Sequence, residues 1–282
     1  REAAQWAGVG PSRPAPLPRD GAGVPTVASI RSVSARLDAE DTEALLTEVP
    51  AAYRTQVNDA LLAALAEAFH GWTGERRLLI HLEGHGREDL FEEVDLSRTV
   101  GWFTSTYPVE LERVDGGPGE VLKETKERLR AIPRKGIGFG ILRWLSPDAE
   151  LRARLAALPE PEVVFNYLGQ FGGGGGGEGE SLFAGARERR GEEQSPRQAW
   201  PHLLEVNASV SGGRLAVHFG YAEGVHDAAT VRRLADAYVE ALRKLVEHCR
   251  TPEAGGYTPS DFPEAALSQE DLDAVLAELS ES

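Results

Sequence analysis

Two runs of alternating apolar residues, separated by a glycine pair, constrain this chain most. Leu203-Leu-Glu-Val-Asn-Ala-Ser-Val and Arg214-Leu-Ala-Val-His-Phe-Gly-Tyr flank Ser211-Gly212-Gly213. A period of two on both sides of such a turn predicts an antiparallel hairpin with one face buried. The pattern then changes period. Val231, Leu234, Ala235, Tyr238, Ala241, Leu242 and Leu245 recur every three to four residues from Ala228 to Cys249, the stripe of a long amphipathic helix.

The same alternation of element types runs upstream. Val24–Leu37 has the ragged alternation of a strand, and the acidic turn at Asp38 opens a helix. A longer helix follows Pro50, with Val57, Leu61, Leu62, Leu65, Ala68 and Phe69 on one stripe and a stop at Gly71. Arg77-Leu-Leu-Ile-His-Leu-Glu and Val163-Val-Phe-Asn-Tyr-Leu are short apolar runs that end at glycines, and residues 119–132 are amphipathic at helical spacing. Strands interspersed with helices predict an α/β layered fold. Residues 1–24, rich in Pro and Gly, read as a connector. Gly172 to Gly177 and the polar stretch after them, within 171–198, read as a flexible insertion.

Composition narrows the chemistry. In 282 residues, 45 Asp and Glu against 30 Lys and Arg give a formal charge of −15, which argues against nucleic-acid partners. The cluster Arg128, Arg130, Arg134 and Lys135 reads as a solvated helix end. The single cysteine, Cys249, excludes an internal disulfide and a zinc site of paired cysteines, and it lacks any sign of activation. No apolar run approaches the roughly 20 residues needed to cross a bilayer. These features predict a cytoplasmic piece of a longer polypeptide.

Glu83 is the sharpest chemical candidate. It ends a buried strand ahead of Gly84-His85-Gly86-Arg87, so its carboxylate can project into a cleft with its pKa raised toward general acid–base use. The residues alone equally allow a turn cap or a pair with Arg87. His85 has no second ligand at metal spacing, so no metal site is predicted. Trp102, Phe103 and Tyr107, in Arg98-Thr-Val-Gly-Trp-Phe-Thr-Ser-Thr-Tyr-Pro, are either pocket walls or core. In Phe165-Asn-Tyr-Leu-Gly-Gln, strand alternation sends Asn166 and Tyr167 to opposite faces. Either can anchor a polar substrate or bond to backbone. Pro133-Arg-Lys-Gly-Ile-Gly-Phe-Gly lacks the ending of a phosphate-binding loop.

Taken in order, these blocks resemble nonribosomal peptide synthetase epimerization domains. The family's Glu-Gly-His-Gly-Arg-Glu is intact at 83–88, its Arg-Thr-Val-Gly-Trp-Phe-Thr-x-x-Tyr-Pro at 98–108 and its Phe-Asn-Tyr-Leu-Gly-Gln at 165–170. Asp59-Ala-Leu-Leu-Ala-Ala matches a fourth block, with Ala66 where the family has glycine. Pro133 to Gly140 matches a fifth, with Phe139 for tyrosine. The resemblance implies a chloramphenicol acetyltransferase-like lobe, a mixed β-sheet flanked by helices, over 25–250. It makes 251–282 a linker followed by an acidic amphipathic helix. That helix is either an interdomain linker or a docking element that recruits the next synthetase polypeptide downstream.

The family's His-His-x-x-x-Asp motif, in its N-terminal lobe, has no counterpart. The histidines at 70, 81, 85, 202, 218, 226 and 248 stand apart from one another. The resemblance therefore implies a C-terminal lobe that needs its N-terminal lobe and a peptidyl carrier protein as partners. It implies no cofactor bound by this chain, the substrate being carried as a thioester on the carrier's phosphopantetheine. It also implies inversion at the α-carbon, with Glu83 opposed to a histidine of the absent motif, and with Asn166 and Tyr167 positioning the substrate or enolate. The alternative is a noncatalytic or condensation-type lobe that docks carrier proteins.

Overall fold

The computed structural model describes residues 2–8, 15–88, 90–171, 191, 193–265 and 267–280. The Gly172–Gly177 run and most of the predicted insertion lie outside them.

Strands β1 (Ile30–Arg36), β2 (Arg77–Gly84), β3 (Ser105–Glu112), β4 (Val163–Phe171), β5 (Leu204–Ser211) and β6 (Arg214–Ala222) form one sheet in the order β1-β6-β5-β4-β2-β3. β4 lies parallel to β2 and to β5, and the other neighbours are antiparallel. This is the mixed sheet flanked by helices that the family resemblance implies, and β5 and β6 form the predicted hairpin. The helices are α1 (Glu2–Ala7), α2 (Ala39–Tyr53), α3 (Val57–Thr73), α4 (Pro118–Arg130), the single turn α5 (Ile137–Gly140), α6 (Ala149–Ala156), α7 (Ala228–Cys249) and α8 (Gln269–Ser280). Among the described residues no helix is long and apolar enough to cross a membrane.

Alternation on the strands divides the sheet into two unlike faces. Ile80, Leu82, Val163, Phe165, Leu204, Val206, Ala208, Val217 and Phe219 point to one side and are buried. Helices α2, α3, α4 and α7 pack there. Phe219 meets Tyr238 of α7 edge to face, with ring centroids 5.8 Å apart. Burial of each of the larger side chains contributes about 1.5–3 kcal/mol. The other face carries Glu83, Asn166, Glu205, Asn207, His218 and Ser34, all at least partly exposed.

Several boundaries differ from those read in the sequence. The connector holds a helix, because Trp6 is 1% exposed and its ring lies 6.1 Å from Tyr107 and 5.2 Å from Phe139. Helix α2 continues through Pro50 to Tyr53 and ends at left-handed Arg54, whose N–H bonds Pro50 O. α3 continues past Gly71 to Thr73 and stops at Gly74. β3, not predicted, contains Pro108. Proline cannot donate to a ladder, and β3 tolerates it as an edge strand.

The start of the predicted linker is docked on the lobe. Thr258 is buried, and Asp261 accepts from the buried Lys126 Nζ at 2.7 Å, which also donates to Tyr53 O at 3.0 Å. An unpaired ammonium at that depth would be costly, so the pair pins this segment to α4.

Candidate functional site

Glu83 stands at the end of β2, on the face without the main helix layer. Register places it opposite Thr106 of β3, and the parallel pairing of Leu82 with Phe165 brings Asn166 alongside. Asn166 Nδ2 donates to Glu83 Oε2 at 3.0 Å. The amide orients the carboxylate without neutralising it. Partial burial raises the pKa of Glu83, and the Glu205 carboxylate on β5 raises it further.

The turn after Glu83 is fixed by contacts rather than by the carboxylate. Arg87 turns away, donating to Leu96 O at 2.7 Å and Thr99 O at 2.8 Å, with its guanidinium 4.2 Å from the Phe103 ring centroid. Glu88 takes the neighbouring side chains instead, His85 Nε2 at 3.2 Å and Lys135 Nζ at 2.8 Å. Neither alternative role for Glu83, a turn cap or a pair with Arg87, is realised. Gly86 has φ 66°, and a Cβ there would lie 1.6 Å from Phe103 O, so only glycine permits this close approach. Beyond it, Val100 and Trp102 are 99% and 91% exposed, whereas Tyr107 is buried. The aromatic block therefore divides between surface and core.

On the far side of the turn, Arg134 and Lys135 hold left-handed backbone at φ 47° and 50°. Gly136 follows at φ 85°, where a Cβ would strike the Tyr107 ring at 2.1 Å. The block at Pro133 is thus a buttress against Tyr107 rather than a phosphate cradle. The basic cluster is matched by carboxylates: Arg128 by Glu112 and Glu124, Arg130 by Asp59 at 2.8 Å, and Lys135 by Glu88.

Of the three predicted site residues, the structure brings Glu83 and Asn166 together and sends Tyr167 away. Tyr167 turns to the opposite face of β4, where it packs against the apolar core and burial raises its phenol pKa. Just beyond it the register of β4 against β5 shifts, between Tyr167 and Gln170.

The open face also holds polar residues that no sequence motif singled out. Asn207, in register with Asn166, donates from Nδ2 to Glu205 Oε1 at 2.7 Å. Farther across, Ser34 Oγ and His218 Nδ1 are 2.7 Å apart. Alternation in β5 and β6 already turned these residues outward. Their proximity to Glu83 depends on a strand order that no local pattern reveals.

Two histidines that stand apart in sequence meet in the fold. His81 Nδ1 lies 2.9 Å from His202 Nε2, so one ring donates and the other accepts. Burial lowers both pKa values, that of His202 to about 4, and the pair is neutral at pH 7. Among the described residues no group of three His, Cys, Asp or Glu side chains is placed to hold a metal. Burial and the Glu48 charge push the Cys249 thiol up to about 11, so it is no activated nucleophile.

The model for the condensation domain family matches residues 2–268. The chain is 42% identical over 248 residues to tyrocidine synthase 2 of Brevibacillus parabrevis, covering 87% of this chain and 7% of that protein. It is 37% identical over 264 residues to surfactin synthase subunit 1 of Bacillus subtilis, covering 93% and 7%. The chain thus spans only a small part of these relatives. Among solved structures, the epimerization domain from the third module of tyrocidine synthetase B matches with a TM-score of 0.79 at 39% identity, covering 88% of this chain and 55% of that one. The X-domain from teicoplanin biosynthesis, 21% identical with a TM-score of 0.62, shares the fold.

Proposed function

The chain belongs to the condensation domain family, and from that premise we propose that it forms one wall of an epimerization site. On this reading Glu83 moves a proton at the α-carbon of an aminoacyl or peptidyl group held as a thioester on the phosphopantetheine arm of a peptidyl carrier protein. The observation that carries the reading is the exposed Glu83 carboxylate, bonded by Asn166 and raised in pKa by its surroundings. A general base needs that combination of an open approach, a fixed orientation and a pKa lifted toward working pH.

The proton balance requires a second group. Glu83 takes the α-proton to leave an enolate conjugated with the thioester carbonyl, and a proton must then arrive from the opposite side of the carbon. Two histidines project from the strands of the open face, and neither can serve. His218 is three strands from Glu83, about 14 Å away. His81 is two residues back on the same strand and tied to His202. Both project from the side of the sheet that carries Glu83, so neither can reach the far side of one α-carbon. The second group must come from a wall facing the sheet, the place for an N-terminal lobe bearing the His-His-x-x-x-Asp motif. Asn166 positions the carboxylate. Tyr167, on the far side of β4, positions the strand end from which Asn166 projects.

Exchange of the α-hydrogen with deuterium in a carrier-bound aminoacyl thioester tests the reading. The chain alone is expected to give only background exchange, and addition of the N-terminal lobe to restore it. Rapid exchange by the chain alone, or none after the lobe is supplied, contradicts it.

A further inference from the structure

A cavity of about 190 Å³ opens beside Glu83, between the sheet and the segment from α5 to the start of β4. Its floor continues the face that presents the carboxylate. Thr106 is the register partner of Glu83, and the next pair on that face, His81 with Pro108, lines the cavity beyond it. Phe139, Trp144 and Leu158 line it from that segment. The space far exceeds the roughly 10–15 Å³ that admits one water, and its lining is predominantly apolar.

We propose that this cavity receives the side chain of the residue whose α-carbon is inverted, and that it selects bulky neutral side chains, aromatic or branched aliphatic. The proposal rests on the epimerase reading of Glu83. A group whose α-carbon sits against that carboxylate has its side chain within one residue pair, about 7 Å along the strands, of the cavity floor. Apart from Arg143 and Glu160, the lining carries no charge to bind an ionic side chain. His81 is bonded to His202, and burial lowers its pKa. The Arg143 guanidinium lies 4.2 Å from the centroid of the Trp144 ring, and Glu160 is at the lip with its side chain 78% exposed. A lysyl or aspartyl side chain would lose its hydration against the apolar lining, and to gain a partner it would have to draw Glu160 from solvent or Arg143 off the Trp144 ring.

The test compares carrier-bound tryptophanyl, phenylalanyl, leucyl, alanyl, aspartyl and lysyl thioesters in the α-deuterium exchange assay, using the chain together with its N-terminal lobe. Phenylalanyl and leucyl substrates are expected to exceed the two charged ones by about tenfold or more in kcat/KM. Thr106→Trp, which fills the end nearest Glu83 from an exposed strand position, is expected to lower the phenylalanyl-to-alanyl ratio by about tenfold. Leu158→Ala, which enlarges the far end, is expected to raise the ratio of tryptophanyl to leucyl turnover. Exchange that proceeds with the same ratios in wild type and both variants overturns the pocket and leaves the role of Glu83 intact. Absence of exchange from every thioester with the wild-type protein overturns the epimerase reading and the pocket with it.

Discussion

The two faces of the sheet are built from the same strands and do opposite work. On β5, Leu204, Val206, Ala208 and Val210 point under the helices and are buried, while Glu205, Asn207 and Ser209 between them stay partly exposed. On β2, Ile80 and Leu82 are core and Glu83 is exposed. The covered face stabilises the fold through burial, which penalises a polar atom left without a partner. The open face buries Leu79 and Val164, and at the strand ends it holds two carboxylates close enough to raise a pKa. One face thus keeps the strands in register so that the other can hold Glu83 and Asn166 3.0 Å apart.

Substitutions on the two faces separate these roles. The largest expected effect on stability lies on the covered face. Phe219→Ala removes a fully buried ring packed on Tyr238 and is expected to cost about 3–5 kcal/mol in denaturant unfolding. On the open face, Asn166→Ala is expected to leave stability within about 1 kcal/mol. Exchange should fall at least about tenfold, because the carboxylate loses its orienting donor. Loss of stability comparable to that of Phe219→Ala would erase the distinction between the faces. The smallest effect belongs to Glu205. Its negative charge disfavours ionisation of Glu83, so Glu205→Gln is expected to lower the pKa of Glu83. The acidic limb of the pH–rate profile then moves to lower pH. A limb that stays in place, or moves upward, would show that Glu205 does not act on Glu83.

The covered face was the legible part of the sequence. Alternation in 203–221, the helical stripe of α7 and the acidic turn at Asp38, whose side chain caps α2, are local signals that match the elements formed. Glu83 was legible as a carboxylate ending an apolar strand, and the motif resemblance singled out Asn166 beside it. The residues that eluded the sequence do so for physical reasons. Pro108 disguises β3, since proline is compatible only with a strand edge that the sequence does not announce. Trp6 holds a six-residue helix through tertiary contact rather than propensity. His81 and His202, like Glu83 and Glu205, meet through strand pairing across more than 100 residues, and nothing in either segment anticipates the other.

Glu83→Gln tests the central claim most directly, because it keeps the shape and an acceptor for Asn166 while removing the ability to take a proton. Measured with the N-terminal lobe and an aminoacyl carrier protein present, α-deuterium exchange is expected to fall by about 10²–10⁴-fold, with unfolding unchanged within about 0.5 kcal/mol. Exchange within a few-fold of wild type in a variant of unchanged stability would contradict the assignment of Glu83 as a proton-transfer group.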